Sequence, residues 1–249
     1  MSLRKRVAAT SIVYPESDGK PMAETELHRQ LMVNLIEALK NFFASQPDVY
    51  VSGNMFIYYV EGDTSKNVAP DVFVVRGVGK RLGEYRRRVY KIWEEGVAPC
   101  VVIEVSSSET KNEDLQRKKQ LYAQLGVKEY YIFDPEYRYL KPSFRAYWLS
   151  GDQYVELAIT NRRVQSEELG LELVNTGETL RLFDPSRGKF LLTPEEADSA
   201  YQAAEARVAS AEAARQAEAE ARRQAEAELE KLRAENARLK RKPSKKRSK

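Results

Sequence analysis

Four side chains carry the chemistry that this sequence advertises: Asp71 in "APDVFVV", Glu104 in "PCVVIEV", and Lys118 and Lys119 in "EDLQRKKQLY". A carboxylate inside the run Val101, Val102, Ile103, Glu104, Val105 costs several kcal/mol unless a proton, a partner or a cation answers it. Two carboxylates converging at the edge of a sheet suit an oxygen-ligated hard cation such as Mg²⁺ or Mn²⁺. Such a cation stabilises charge on phosphoryl oxygens, and an ammonium close by can orient the attacking water. Lys fits that last role as a compact charge with rotatable donors. Taken singly, each feature also has a bland origin: Pro-Asp opens a turn, a strand Glu faces outward, and a Lys pair lies on the wet face of a helix.

The elements that would hold these residues can be read from patterning. Leu27, Leu31, Leu35 and Leu39 recur every four residues, and this spacing predicts a helix capped by Thr25. "DVYVSGNMFIYYVEG" and "NVAPDVFVVRG" read as two antiparallel strands, followed by a charged connection and the strand of Glu104. A second helix, "EDLQRKKQLYAQLG", ends at Gly126, and the strand "VKEYYIFDP" follows. Tyr130 and Tyr131 in that strand are expected in the core. Residues 138–192 alternate apolar runs with turns, as hairpins on the same core would. Residues 1–193 are therefore expected to form one α+β domain.

Composition changes after Thr193. Residues 194–242 are almost all Ala, Glu, Arg, Gln, Lys and Leu, which favours a long helix. Near its end Leu229, Leu232, Asn236 and Leu239 fit successive a and d positions, while Arg215, Glu218 and Arg222 fall in the seam upstream. Both a solvated single helix and a homodimeric coil fit this pattern. Residues 243–249 are expected to be a disordered basic tail.

Charge and composition exclude several classes. The net charge is +4, but the last ten residues carry seven cations and no acid, leaving the rest at −3. The tail alone invites phosphate contact. One cysteine, Cys100, forbids a disulfide within the chain, and one histidine, His28, forbids a zinc site of several His or Cys ligands. No charged-then-apolar leader and no uncharged run of about 18 residues occur, so no membrane role and a cytoplasmic setting are expected.

The ordered set "APDVFVV", "PCVVIEVSSSET" and "EDLQRKKQLYAQLGVKEYYIFDP" resembles the Uma-two family of bacterial endonucleases, members of the PD-(D/E)XK nuclease superfamily. The resemblance covers roughly residues 10–193, from "YPESDGKPM" to "LLTPEEA". It implies a restriction-endonuclease-like mixed sheet flanked by helices, with extra antiparallel strands and a long C-terminal helix. It implies Mg²⁺- or Mn²⁺-dependent hydrolysis of DNA, with Asp71 and Glu104 as metal ligands and the Val105 carbonyl as a third. Ser106 stands where the superfamily pattern has Lys, and the resemblance implies Lys118 as its replacement, with Lys119 behind it. Glu26 and His28 are supporting candidates. The alternative reading is a non-catalytic DNA-associated or oligomerising protein on the same scaffold.

Overall fold

The computed structural model describes residues 12–17, 19, 25–80 and 86–240. The expected basic tail at 243–249 lies outside them, as does most of the segment before Thr25. The chain divides into two compact units, Met1–Pro194 and Glu195–Lys249.

The first unit opens with α1 (Glu26–Phe42), which starts where expected: the Thr25 hydroxyl accepts the His28 N–H. Leu31, Leu35 and Leu39 are buried on one face of α1, as their four-residue spacing predicts. The chain then forms β1 (Val49–Ser52), β2 (Ile57–Tyr58), β3 (Asn67–Val68), β4 (Val72–Arg76), β5 (Tyr90–Lys91), a one-turn α2 (Ile92–Glu95) and β6 (Val101–Val105). After β6 come α3 (Lys111–Glu113), a π-helical turn (Asp114–Lys118) and α4 (Lys119–Leu125), continuous with one another. Gly126 ends α4 in the left-handed region at φ 80°, a cost-free conformation only for glycine. The remaining strands are β7 (Glu129–Phe133), β8 (Phe144–Ser150), β9 (Gln153–Glu156), β10 (Arg163–Ser166), β11 (Leu171–Asn175), β12 (Leu180–Asp184) and β13 (Lys189–Phe190).

Six strands make the main sheet in the order β1-β4-β6-β7-β8-β9, antiparallel throughout except for the parallel pair β6–β7. A parallel pair needs a crossover, and α3 to α4 supply it. Both faces of the sheet are covered. Val72, Val74, Val101 and Ile103 pack against α1 and the four-stranded sheet β10-β11-β12-β13. Phe73, Val75, Val102 and Ile132 pack with Leu121 and Tyr122 of α4 and with the small sheet β3-β2-β5. This explains why β6 and β7 are apolar apart from Glu104 and Glu129: all ten of their residues are buried. Tyr130 and Tyr131 are core residues with no exposure. The architecture is mixed α+β, as expected.

The described residues of the second unit all belong to α5, which runs from Pro194, the last residue of the first unit, to Lys240. From Asp198 onward every described side chain of α5 is exposed. Among the described residues no helix is long and apolar enough to cross a membrane.

Candidate active site

The register of β4 against β6 assembles the first pair. Val72 lies opposite Ile103, so Asp71, one residue before β4, arrives beside Glu104. The Asp71 N–H donates to Glu104 Oε2 at 3.4 Å, and the Val105 N–H donates to Asp71 Oδ2 at 2.7 Å. Close packing behind Asp71 demands glycine at position 53. A Cβ there would stand 1.9 Å from the Asp71 carbonyl oxygen and 2.7 Å from Ile36 Cδ1.

Residues from three other elements close around the pair. His28 Nε2 lies 3.2 Å from Asp71 Oδ1. Alternation along β6 turns Glu104 toward the α4 side, where Val102 also points. There Tyr122 donates its hydroxyl to Glu104 Oε1 at 2.6 Å, and Lys118 Nζ lies 3.0 Å from Oε2. The same ammonium is 2.9 Å from Asp114 Oδ1. Ser106 donates its hydroxyl to Asp114 Oδ2 at 3.0 Å, and the Tyr130 hydroxyl donates to the Asp114 carbonyl at 2.9 Å. Glu104 and Asp114 have no exposure.

The question raised by Ser106 has a structural answer. The small hydroxyl at position 106 holds Asp114, and Asp114 holds Lys118 against Glu104. A wide π-helical turn contains both Asp114 and Lys118, a distortion often found at functional sites. The ammonium thus reaches the second carboxylate from the crossover helix rather than from the strand.

The electrostatics follow from three carboxylates facing one ammonium. Burial raises Glu104 well above the ordinary carboxylate range, with Asp71 and Asp114 adding to the rise and Lys118 opposing it. Burial acts upward on Asp71 too, but the His28 hydrogen bond, the charges of His28 and Lys118 and the Val105 N–H hold it below its usual value. Lys118 is raised despite its burial, because Glu104 and Asp114 favour its charged form.

The other candidates fall elsewhere. Glu26 is exposed in the first turn of α1. Lys119 points away from the carboxylates, with Nζ 3.9 Å from the Tyr147 ring centroid and Glu156 and Arg145 as its charged neighbours. Sequence reasoning missed Asp114, which looks like a surface acid in "NEDLQ", and the hydroxyl of Tyr122, which looks like plain core. A cavity of about 560 Å³ along β1 is lined by Lys40, Lys80, Arg86 and Arg87. Three of these cations serve the fold: Lys40 pairs with Glu37, Arg87 pairs with Glu95, and Lys80 caps the Phe43 and Ala44 carbonyls.

Among the described residues no three His, Cys, Asp or Glu side chains are grouped to hold a metal ion. The adjacent carboxyl groups of Asp71 and Glu104 nonetheless fit Mg²⁺ or Mn²⁺. These ions bind through one or two carboxylates and take their remaining ligands from water and substrate phosphate. One imidazole, His28, stands beside the pair, and a set otherwise made of oxygen donors favours a hard cation.

The model of a family described as "Uma2: Putative restriction endonuclease" matches residues 11–178. No curated protein matches the chain. A solved structure described as that of "a putative nuclease belonging to DUF820 from Anabaena variabilis ATCC 29413" aligns at 13% identity with a TM-score of 0.45. The alignment covers 60% of this chain and 76% of that one.

Proposed function

The chain belongs to the Uma2 family, described as "Putative restriction endonuclease", and from that premise we propose that it is a metal-dependent endonuclease hydrolysing DNA phosphodiester bonds. The observation that carries this reading is the contact of Asp71 with Glu104 at the mouth of β4, with the Lys118 ammonium 3.0 Å from Glu104. Asp71 and Glu104 would hold Mg²⁺ or Mn²⁺, which would neutralise charge building on the phosphoryl oxygens.

The protein's own groups divide the remaining work. Asp71, kept ionised by His28 and the Val105 N–H, is the standing anion of the site. Tyr122 fixes one oxygen of Glu104, leaving the other to face Lys118 and Asp71. Lys118 supplies a preorganised positive charge to orient water or stabilise negative charge on the oxygens of the pentacoordinate phosphorus, and Asp114 with Ser106 positions it.

The alternative, a nucleic-acid-binding scaffold without catalysis, draws support from the −3 balance outside the last ten residues. One experiment separates the two. Supercoiled plasmid is incubated with the full chain and Mg²⁺ or Mn²⁺, beside Asp71→Asn, Glu104→Gln and Lys118→Met. The nuclease reading expects nicking that EDTA abolishes and that each substitution slows by roughly 100-fold or more. Cleavage by Asp71→Asn and Glu104→Gln at the rate of the parent chain would reject the assignment.

A further inference from the structure

We propose that α5 is a dimerisation helix that pairs in parallel and in register with a second copy of this chain. Three observations carry the inference, and none depends on the nuclease reading.

The first is the placement of apolar side chains. Only five large apolar residues occur in α5: Tyr201, Val208, Leu229, Leu232 and Leu239. Counting sevens back from Asn236 as an a position, Tyr201, Val208 and Leu229 are also a, while Leu232 and Leu239 are d. All five therefore share one seam across the helix, and none lies on another face. Tyr201, Val208, Leu229 and Leu232 are 49–62% exposed, a costly display for leucine and valine in a lone helix. Ala204, Ala211 and Ala225 fill d positions between them. The seam polar residues Arg215, Glu218 and Arg222 interrupt this stripe without shifting its register.

The second observation is charge complementarity beside the seam. In a parallel pair, each g residue faces the e residue five positions on in the other helix. Arg207 then faces Glu212 of the second copy, Glu228 faces its Arg233, and Glu235 faces its Lys240. Every charged pair at these positions is opposite in sign. Turned antiparallel about the middle of the seam, Glu205 would meet Arg233 and Arg207 would meet Glu235, but Glu212 would meet Glu226, so only the antiparallel arrangement carries a like-charge pair.

The third observation concerns the polar seam positions. Asn236 at a pairs with its own copy only when the helices are parallel and in register, and such an Asn specifies two strands. Arg222 is bound by Glu226 at 3.0 Å within its own helix, which lowers the cost of two arginines in one layer. Glu218 lies between the Arg215 and Arg222 layers and can bridge to either across the pair.

Sedimentation of the full chain over a concentration series tests the proposal, beside Leu229→Glu/Leu232→Glu. These residues are exposed in the single chain, so their replacement leaves the first unit to fold as before. The expected result is a concentration-dependent dimer whose dissociation constant rises at least about 100-fold in the double variant, from the loss of apolar burial. Orientation is read from oxidative cross-linking of Val208→Cys and Leu229→Cys, each with the Cys100-only chain as control. Each variant should cross-link to itself. A monomer at every concentration, a trimer or tetramer, or a double variant that dimerises like the parent would overturn the proposal. So would a Val208→Cys chain that cross-links only when mixed with Leu232→Cys, because that result requires antiparallel helices.

Discussion

Replacing Lys118 with Met tests the charge arrangement independently of any activity. The side chain is 11% exposed and stands 3.0 Å from Glu104 and 2.9 Å from Asp114, both fully buried. At an effective dielectric near 20, each contact is worth about 5 kcal/mol of gross attraction. Desolvation of the ammonium offsets much of that. Methionine keeps most of the volume, so the change isolates the charge and leaves two buried carboxylates without a counter-ion. Removing one partner from a buried pair costs roughly 3–5 kcal/mol. For a unit of this size that corresponds to a fall in Tm of about 6–20 °C. The assay is urea unfolding in EDTA, followed by fluorescence of Trp93 and Trp148, so that bound metal plays no part. Adding Glu104→Gln and Asp114→Asn to Lys118→Met should recover most of the loss, since amides need no counter-charge. An unchanged urea midpoint for Lys118→Met, or a triple variant as unstable as the single one, would refute this reasoning.

Three further outcomes follow from the same geometry. Tyr122→Phe removes the hydroxyl 2.6 Å from Glu104 and should cost about 1.5–3 kcal/mol in the same urea assay. Gly53→Ala forces a methyl into the Asp71 carbonyl and should cost about 1–3 kcal/mol or more while weakening metal binding, read by unfolding and by Mn²⁺ titration. Glu129, buried in β7, accepts bonds from Tyr131, Ser166 and the Glu167 and Glu168 N–H groups, yet burial still raises it above 4.5. The folded state therefore keeps this proton to a higher pH than the unfolded chain does. Its contribution to stability is full below the unfolded value and is lost as pH rises through the folded one. Glu129→Gln should flatten the decline in stability from pH 4.5 upward, measured by urea midpoints across that range.

Much of the fold was legible because burial leaves a periodic trace. Leucines every four residues gave α1, and runs of β-branched and aromatic residues gave β4, β6 and β7. The two-residue strands β2, β3, β5 and β13 are too short to show any period. At the site, Asp71, Glu104 and Lys118 were legible as types in order, and the structure brings them together. Orientation was not legible: adjacent lysines 118 and 119 leave the helix in different directions, one to Glu104 and the other onto Tyr147. The role of Asp114 depends on a π-helical turn set by packing against β6 and β7, for which local sequence carries no code. Ser106, the oddest letter of the motif, makes sense only once Asp114 is seen beside it.

If Asp71 and Glu104 share a divalent cation, titration of the full chain with Mn²⁺, read by electron paramagnetic resonance, should show one ordered Mn²⁺ per chain in the wild type and none in Asp71→Asn or Glu104→Gln at the same metal concentration. Undiminished Mn²⁺ binding in either variant would rule out the shared cation.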